Sequence, residues 1–188
     1  RIDREAVPSS TNPELRKLGI VTAGKTYLDV MQALQRLGID NARAAELGLS
    51  VYKVGCIWPL EPEGLKEFAD SQDELLFIEE KRAFMEDQAA KILFNEPLRP
   101  RIIGKKDEKG EQLMNSDVQL EPAQLAQVIA ARLINLGVDI SSITEKCEAL
   151  RANVGCMPHN SAVPRTYYFC SGCPHNTSTR IPEGSLAM

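Results

Sequence analysis

Asp73-Glu74-Leu75-Leu76-Phe77-Ile78-Glu79-Glu80 is a run of four apolar residues between two acidic pairs. Side chains along a β-strand point alternately to the two faces of the sheet, so four apolar residues in a row make both faces apolar. Strands of this kind are typical of parallel sheets that helices cover on both sides. The run therefore predicts a buried strand at the centre of an α/β fold.

Short apolar runs alternate with helix patterns on both sides of this strand. In the helix patterns, apolar residues recur every three or four positions, as they do on one face of a helix. Such alternation is typical of a three-layer α/β/α fold with a mostly parallel sheet. We predict this fold for residues 17–105, with strands at 18–24, 49–55, 73–80 and 101–104 and helices at 26–38, 61–69 and 81–94.

The flanking regions have a different character. Residues 1–16 are polar and proline-containing, which predicts a linker. Residues 104–112 are rich in charge, which predicts a solvated loop or hairpin tip. An apolar pattern after Pro122 predicts a helix to about residue 136, with a shorter helix following it at 139–151.

The composition excludes several classes of function. The 188 residues are 43% hydrophobic and carry a net charge of −4 with 5% aromatic residues, which argues against nucleic-acid binding. No apolar run approaches the length of a membrane span, and the charged start is not a secretory signal. Five cysteines without such a signal indicate a reducing, cytoplasmic compartment. The missing initiator Met suggests a fragment of a longer polypeptide.

The stretch from Gly19 to Thr26 matches the P-loop pattern G-x-x-x-x-G-K-[ST] letter for letter. In a P-loop the first glycine follows a completed strand, whereas Gly19 comes one residue after Leu18, inside the apolar run. Glu79 resembles the acidic end of a second nucleotide-binding strand only superficially. We favour a strand–turn–helix junction here and keep a nucleotide-hydrolysing enzyme as a third functional hypothesis.

Four further residues have side chains capable of chemistry. Glu79 and Glu80 end the central strand, at the sheet edge where α/β proteins bind ligands. They could lie in an active-site crevice, or they could be solvated acids that precede a helix N-terminus. We favour the second interpretation. Cys56 follows a strand with no histidine nearby, which predicts a packed thiol. Cys147 occupies an apolar helix position and is expected in the core.

A cysteine motif near the end of the sequence, Cys170-Ser171-Gly172-Cys173-Pro174-His175, carries most of the chemistry. Two cysteines three apart can direct both sulfurs to one metal or cluster, and the glycine between them permits a tight turn. Together with Cys156 and His159 they could form a tetrahedral zinc site in a stand-alone binding domain. Half of an iron–sulfur ligand set, or free thiols, are the alternatives.

Residues 167–179 and 182–185 resemble the entry to the thiamine-diphosphate-binding domain of the 2-oxoacid:ferredoxin oxidoreductases. The form Cys-x-Gly-Cys-Pro-His is most similar to the indolepyruvate ferredoxin oxidoreductases. Upstream, residues 54–60 and 75–86 resemble the transketolase C-terminal-like domain that precedes that entry. The resemblance divides the chain into a linker (1–16), this α/β domain (17–105), a helical linking segment (106–165) and the start of the next domain (166–188).

The resemblance implies oxidative decarboxylation of a 2-oxo acid, indolepyruvate or another aryl pyruvate, to an acyl-CoA with ferredoxin as electron acceptor. The implied cofactors are thiamine diphosphate, Mg²⁺ and a [4Fe–4S] cluster, with Cys170 and Cys173 as cluster ligands and His175 as a thiamine diphosphate contact. No residue of this chain matches a catalytic one, and Glu79 is not the activating glutamate of this class.

Further cysteines after Cys173 and a magnesium-binding Gly-Asp-Gly motif are missing from the sequence. We therefore expect the fragment to bind neither cofactor well and to be an inactive structural and interface module. Its expected partners are the other domains of the same polypeptide, ferredoxin, the 2-oxo acid and CoA, in a homo-oligomer when intact.

Overall fold

The computed structural model describes residues 4–7, 18–97, 99–117, 119–140 and 169–178, together with the single positions 143, 146, 148, 149, 180, 183 and 184. The chain divides into two compact units, Arg1–Cys156 and Met157–Met188. The first unit contains the sheet and five of the described helices, and the second contains one short helix. No helix among the described residues is long and apolar enough to cross a membrane.

A five-stranded sheet forms the middle layer of the first unit. Its strand order is β1-β3-β2-β4-β5, in which the last four strands run parallel and β1 is antiparallel to β3. In this order β2 and β4 are inner strands paired with parallel neighbours on both sides. The strands are β1 Arg4–Val7, β2 Leu18–Ala23, β3 Leu49–Val54, β4 Glu74–Ile78 and β5 Arg101–Ile103.

Helices cover both faces of this sheet, so the predicted α/β/α layering is confirmed. One apolar cluster lies between the sheet and the helices α1, α2 and α5, and a second lies between the opposite face and the helices α3 and α4. The helices are α1 Gly24–Leu37, α2 Asn41–Leu47, α3 Pro62–Ala69, α4 Met85–Ile92 and α5 Pro122–Asn135.

Strand β4 has the two-sided burial that its sequence predicts. Leu76 and Ile78 belong to the first apolar cluster, and Leu75 and Phe77 belong to the second. None of the four side chains is more than 1% exposed. Burying side chains of this size stabilises a fold by about 1.5–3 kcal/mol each relative to exposure. The strand therefore joins the two halves of the core.

Two elements of the first unit were not predicted. Strand β1 lies inside residues 1–16, where the sequence predicts a linker. Helix α2 follows α1 closely; Asp40 accepts a hydrogen bond from the Arg43 N–H at its start, and Gly48, with φ of 67°, ends it. Helix α5, expected in a linking segment, contributes buried residues to the first apolar cluster. The domain boundaries themselves stay a prediction.

The P-loop-like stretch forms a strand–turn–helix junction, as predicted. Gly19 is the second residue of β2, and α1 begins at Gly24, directly after the strand ends at Ala23. A Cβ atom at position 19 would lie 2.8 Å from the ring of Phe68 and 2.9 Å from the Gln72 side chain. Gly19 therefore serves the close packing of α3 on the sheet, which is a structural reason unrelated to phosphate binding.

A buried ion pair connects α5 to strand β4. The Arg132 guanidinium donates two hydrogen bonds to the Glu74 carboxylate, at 2.7 and 2.6 Å, and both residues are 2% exposed or less. A third hydrogen bond, at 2.8 Å, goes to Glu108. Hydrogen bonding to Glu74 is the main cause that raises the pKa of Arg132 above its already high usual range. This bidentate geometry requires arginine rather than lysine.

We expect Arg132→Met to lower the free energy of unfolding by about 3–5 kcal/mol, because the buried Glu74 carboxylate loses both hydrogen bonds from the guanidinium and keeps only Arg101, 3.7 Å away. Urea denaturation measures this change. The double variant Arg132→Met with Glu74→Leu should recover much of the loss, since it removes both charges together. A single variant that unfolds like the parent chain would contradict the interpretation, and Arg36→Met, at an exposed arginine of α1, is the control.

Candidate functional site

Two places in the described chain bring potentially functional groups together. One is the carboxyl edge of the sheet in the first unit, where the loops after β2, β3, β4 and β5 begin. Ligands of open α/β sheets bind outside this edge. The other is the turn formed by residues 170–173 in the second unit. Each is described by itself.

Glu79, at the carboxyl end of β4, caps helix α4. Its carboxylate accepts hydrogen bonds from the backbone N–H groups of Phe84 at 3.2 Å, Met85 at 2.7 Å and Glu86 at 3.0 Å. The favoured sequence interpretation, an acid before a helix N-terminus, is confirmed for Glu79, but the side chain is not solvated, because it is only 7% exposed. Three donors from the first turn replace the water that a free carboxylate would need.

Lys105 lies behind this cap and is also buried. Its ammonium donates to the backbone carbonyls of Glu79 and Asn115, and its backbone N–H donates to the Glu86 carboxylate at 3.1 Å. Burial lowers the pKa of Lys105, against the opposing effect of Glu79. The sequence predicts a solvated charge run over residues 104–112, and Lys105 is the exception to it.

The Glu86 side chain passes directly over Gly104, where an added Cβ would overlap the carboxylate. This close approach explains the glycine after β5. Partial burial raises the pKa of Glu86, although the hydrogen bond from Lys105 opposes the shift. The end of β5 is therefore tied to the start of α4 through one carboxylate.

Lys25, which a P-loop would place on a phosphate, is engaged by acidic side chains. Its ammonium lies 2.7 Å from the Asp29 carboxylate and 3.6 Å from that of Glu80. The hydrogen bond to Asp29 is the largest cause that raises the pKa of Lys25. Asp29 is buried, whereas Lys25 is about half exposed. The lysine thus bridges α1 and the loop after β4.

Cys56 begins the loop after β3 and is half-buried. Its thiol lies 3.2 Å from the backbone carbonyl oxygen of Trp58, to which it donates. This contact agrees with the interpretation of Cys56 as a packed thiol. Cys147, Cys156 and His159 lie outside the described residues.

In the second unit, Cys170 and Cys173 lie on one tight turn. The Cys173 N–H donates to the Cys170 carbonyl at 3.0 Å, and the Asn176 side-chain amide donates to the same carbonyl at 2.9 Å. Gly172 has φ of 81°, a conformation that favours glycine. The Cys170 side chain is exposed and that of Cys173 is half-buried.

His175 opens a four-residue helix, α6 His175–Ser178, directly after this turn. Its Nδ1 lies 3.3 Å from the Cys173 sulfur, and its ring stacks on Phe169 with 5.1 Å between ring centres. The structure therefore brings the side chains of Cys173 and His175 together and links Cys170 to Cys173 through the backbone. Within the described ranges, no group of three or more His, Cys, Asp or Glu side chains is arranged to hold a metal ion.

A family model described as "Indolepyruvate oxidoreductase domain" matches residues 10–155 of the chain. The chain belongs to this family. The match spans all of the first unit except its ends, so the assignment rests on the α/β unit. The Cys170–His175 segment lies beyond it.

Individual proteins are also similar to this indolepyruvate oxidoreductase domain. The "Indolepyruvate oxidoreductase subunit IorA" of Pyrococcus horikoshii is 25% identical over 167 residues, which are 88% of this chain and 22% of that protein. The chain thus spans about a fifth of the length of this curated relative. A solved 2-oxoglutarate:ferredoxin oxidoreductase from Magnetococcus marinus is 16% identical with a TM-score of 0.47, covering 71% of this chain and 20% of the other.

The Glu79 cap leads to a stability prediction. We expect Glu79→Gln to lower the free energy of unfolding by about 1–2 kcal/mol, because the amide group cannot accept from all three N–H donors and brings its own donors beside them. Chemical denaturation measures the difference. Glu80→Gln, at the adjacent and more exposed acid, should cost less, and equal losses in the two variants would contradict the capping role.

Proposed function

We propose that this chain is part of a 2-oxoacid:ferredoxin oxidoreductase that acts on indolepyruvate or another aryl pyruvate, forms an acyl-CoA and passes electrons to ferredoxin. The observation that carries the proposal is the exposed Cys170–Cys173 turn in a chain whose α/β unit belongs to the indolepyruvate oxidoreductase domain family. The substrate class is supported by the family description and by the name of the Pyrococcus relative. We place the enzyme in the cytoplasm.

The residues of the turn fit an iron–sulfur cluster as its first pair of ligands. Thiolates are the usual ligands of such clusters, and a two-residue spacing is common among them. The turn is closed by the backbone hydrogen bond between Cys173 and Cys170, and Cys170 is exposed. We propose Cys170 and Cys173 as cluster ligands, with the remaining ligands supplied from outside the described residues.

His175 fits a role beside the same pair. Its imidazole is fixed by stacking on Phe169, with Nδ1 turned toward the Cys173 sulfur. An exposed imidazole held in this way can donate a hydrogen bond to an anionic group such as a diphosphate. We propose His175 as a contact to thiamine diphosphate.

The chemistry supplied by bound thiamine diphosphate is stabilisation of a carbanion after loss of CO₂, and that supplied by the cluster is one-electron transfer. The described residues of this chain would hold and orient these groups. In the first unit, the charged side chains Glu79, Glu86 and Lys105 at the carboxyl edge are engaged with the backbone, and Lys25 is engaged with Asp29 and Glu80. We therefore assign this unit a structural and interface role.

Replacing either cluster ligand should remove the cluster from the intact polypeptide. We expect Cys170→Ser and Cys173→Ser each to lower bound iron and acid-labile sulfide to near zero, with loss of 2-oxo-acid-dependent ferredoxin reduction. Cys56→Ser is the matched control, because Cys56 lies in the other unit and contacts the Trp58 carbonyl. Unchanged iron in both variants, or stoichiometric zinc in the parent protein, would contradict the assignment.

Replacing His175 should weaken thiamine diphosphate binding while leaving the cluster in place. We expect His175→Ala to raise the Kd for thiamine diphosphate, measured by calorimetry with Mg²⁺ present, by about tenfold, since it removes one hydrogen bond to a charged group. Thr177→Ala, at an exposed residue of the same helix, should leave the Kd unchanged. An unaltered Kd in His175→Ala with normal iron content would refute this contact.

A further inference from the structure

An apolar patch stands at the carboxyl edge of the sheet in the first unit. It consists of Ile57, Trp58 and Phe84, which are 47%, 66% and 45% exposed, and we call it the Trp58 patch. The two aromatic rings lie against each other with 5.7 Å between their centres. Single exposed apolar residues are ordinary on protein surfaces, but adjacent large ones mark interaction sites. Tryptophan in particular is enriched at the energetic centres of interfaces.

The two loops that carry the patch are fixed by one polar side chain. The Gln88 amide nitrogen donates to the carbonyls of Ile57 and Phe84, at 2.9 and 3.0 Å, and its oxygen accepts from the Leu60 N–H at 2.9 Å. The Cys56 thiol adds a hydrogen bond to Trp58. The aromatic rings are thus presented on backbone that is already ordered, which lowers the entropy cost of binding a partner.

The charged residues beside the Trp58 patch indicate the chemistry of its partner. Lys81 and Arg82 are exposed on the loop that leads to Phe84. Among the residues that the structure describes, neither has an ion-pair partner. The Glu61 carboxylate, in the loop after Trp58, accepts hydrogen bonds from the N–H groups of Glu63 and Gly64. Lys81 and Arg82 therefore offer positive charge close to Phe84, and acidic groups on a partner would be complementary to it.

We propose that the Trp58 patch docks another part of the same, longer polypeptide, through an apolar surface bordered by acidic side chains. This inference rests on the proposed function, in which the chain is one portion of a multidomain enzyme. The length of the relatives supports the choice of occupant, because about four-fifths of the Pyrococcus protein lies outside the matched part. The patch would be the contact through which the α/β unit holds the rest of the enzyme in place.

Hydroxyl-radical footprinting with peptide-level mass spectrometry tests the proposal on the intact polypeptide and on the 188-residue chain. We expect oxidation of Trp58 and Phe84 to be about fivefold slower in the intact protein, as for residues at the core of an interface. Phe94, an exposed aromatic residue beyond the other end of α4, is the control and should react equally in both. Equal oxidation of Trp58 in the two proteins would overturn the proposal.

A charge-reversal variant tests the acidic border. In the intact protein, Lys81→Glu with Arg82→Glu should restore most of the oxidation at Trp58, whereas Lys91→Glu, at an exposed lysine of α4, should not. Protection that persists in the double variant would overturn the charge assignment.

Other occupants of the patch give different patterns. If Trp58 of the 188-residue chain is protected from oxidation and the protection grows with protein concentration, the occupant is a second copy of the chain. If the protection is the same at every concentration, the occupant is another segment of the same 188-residue chain. Either result overturns the proposal. Iron content, measured in parallel, separates the docking proposal from the proposed function. A normal iron content together with an unprotected Trp58 would contradict the docking proposal and leave the proposed function intact.

Discussion

The Arg132–Glu74 ion pair is the contact on which the arrangement of the first unit depends. Glu74 begins strand β4 and Arg132 lies on α5, so the pair joins segments 58 residues apart in sequence. A buried ion pair returns little net stability, because desolvating both charges costs about as much as their attraction gains. Its effect is positional: a displaced α5 would separate the two buried groups and leave Glu74 with the more distant Arg101, 3.7 Å away.

At the carboxyl edge of the sheet, charged side chains likewise connect strands, helices and loops to one another. Glu79 joins β4 to α4, Glu86 joins α4 to Lys105 just beyond β5, and Lys25 joins α1 to the loop after β4. An edge that binds a ligand keeps some polar groups available for it. Here the buried carboxylate of Glu79 is committed to three backbone donors. The Glu79, Glu86 and Lys25 side chains at this edge therefore hold elements together, and its exposed features include aromatic side chains on loops that Gln88 holds.

Much of this fold could be predicted from sequence, because two-sided apolar runs and helix periodicity report burial directly. Strands β2 to β5 and helices α1, α3, α4 and α5 follow from those patterns. Strand β1 could not be predicted, since an edge strand depends on pairing with β3 more than on its own residues. The burial of Lys105 and Glu79 could not be predicted either, because the groups that replace water around them come together only on folding: the Glu79 and Asn115 carbonyls around Lys105, and the N–H groups that begin α4 around Glu79. The closeness of Cys173 and His175 was predictable, because spacing alone brings them together.

The Cys170 turn is ordered by local contacts, whereas the carboxyl edge of the sheet is ordered by contacts between separate elements. Its order comes from local hydrogen bonds to the Cys170 carbonyl, so it can present its thiols without a surrounding core. A turn of this size supplies two ligands, and binding energy from a metal group can then order the segments that complete the set. The other ligands of such a site must come from other segments, and those segments must be held in a fixed position. An α/β unit with a preformed aromatic patch is suited to hold those other parts, and this is the role that we propose for it.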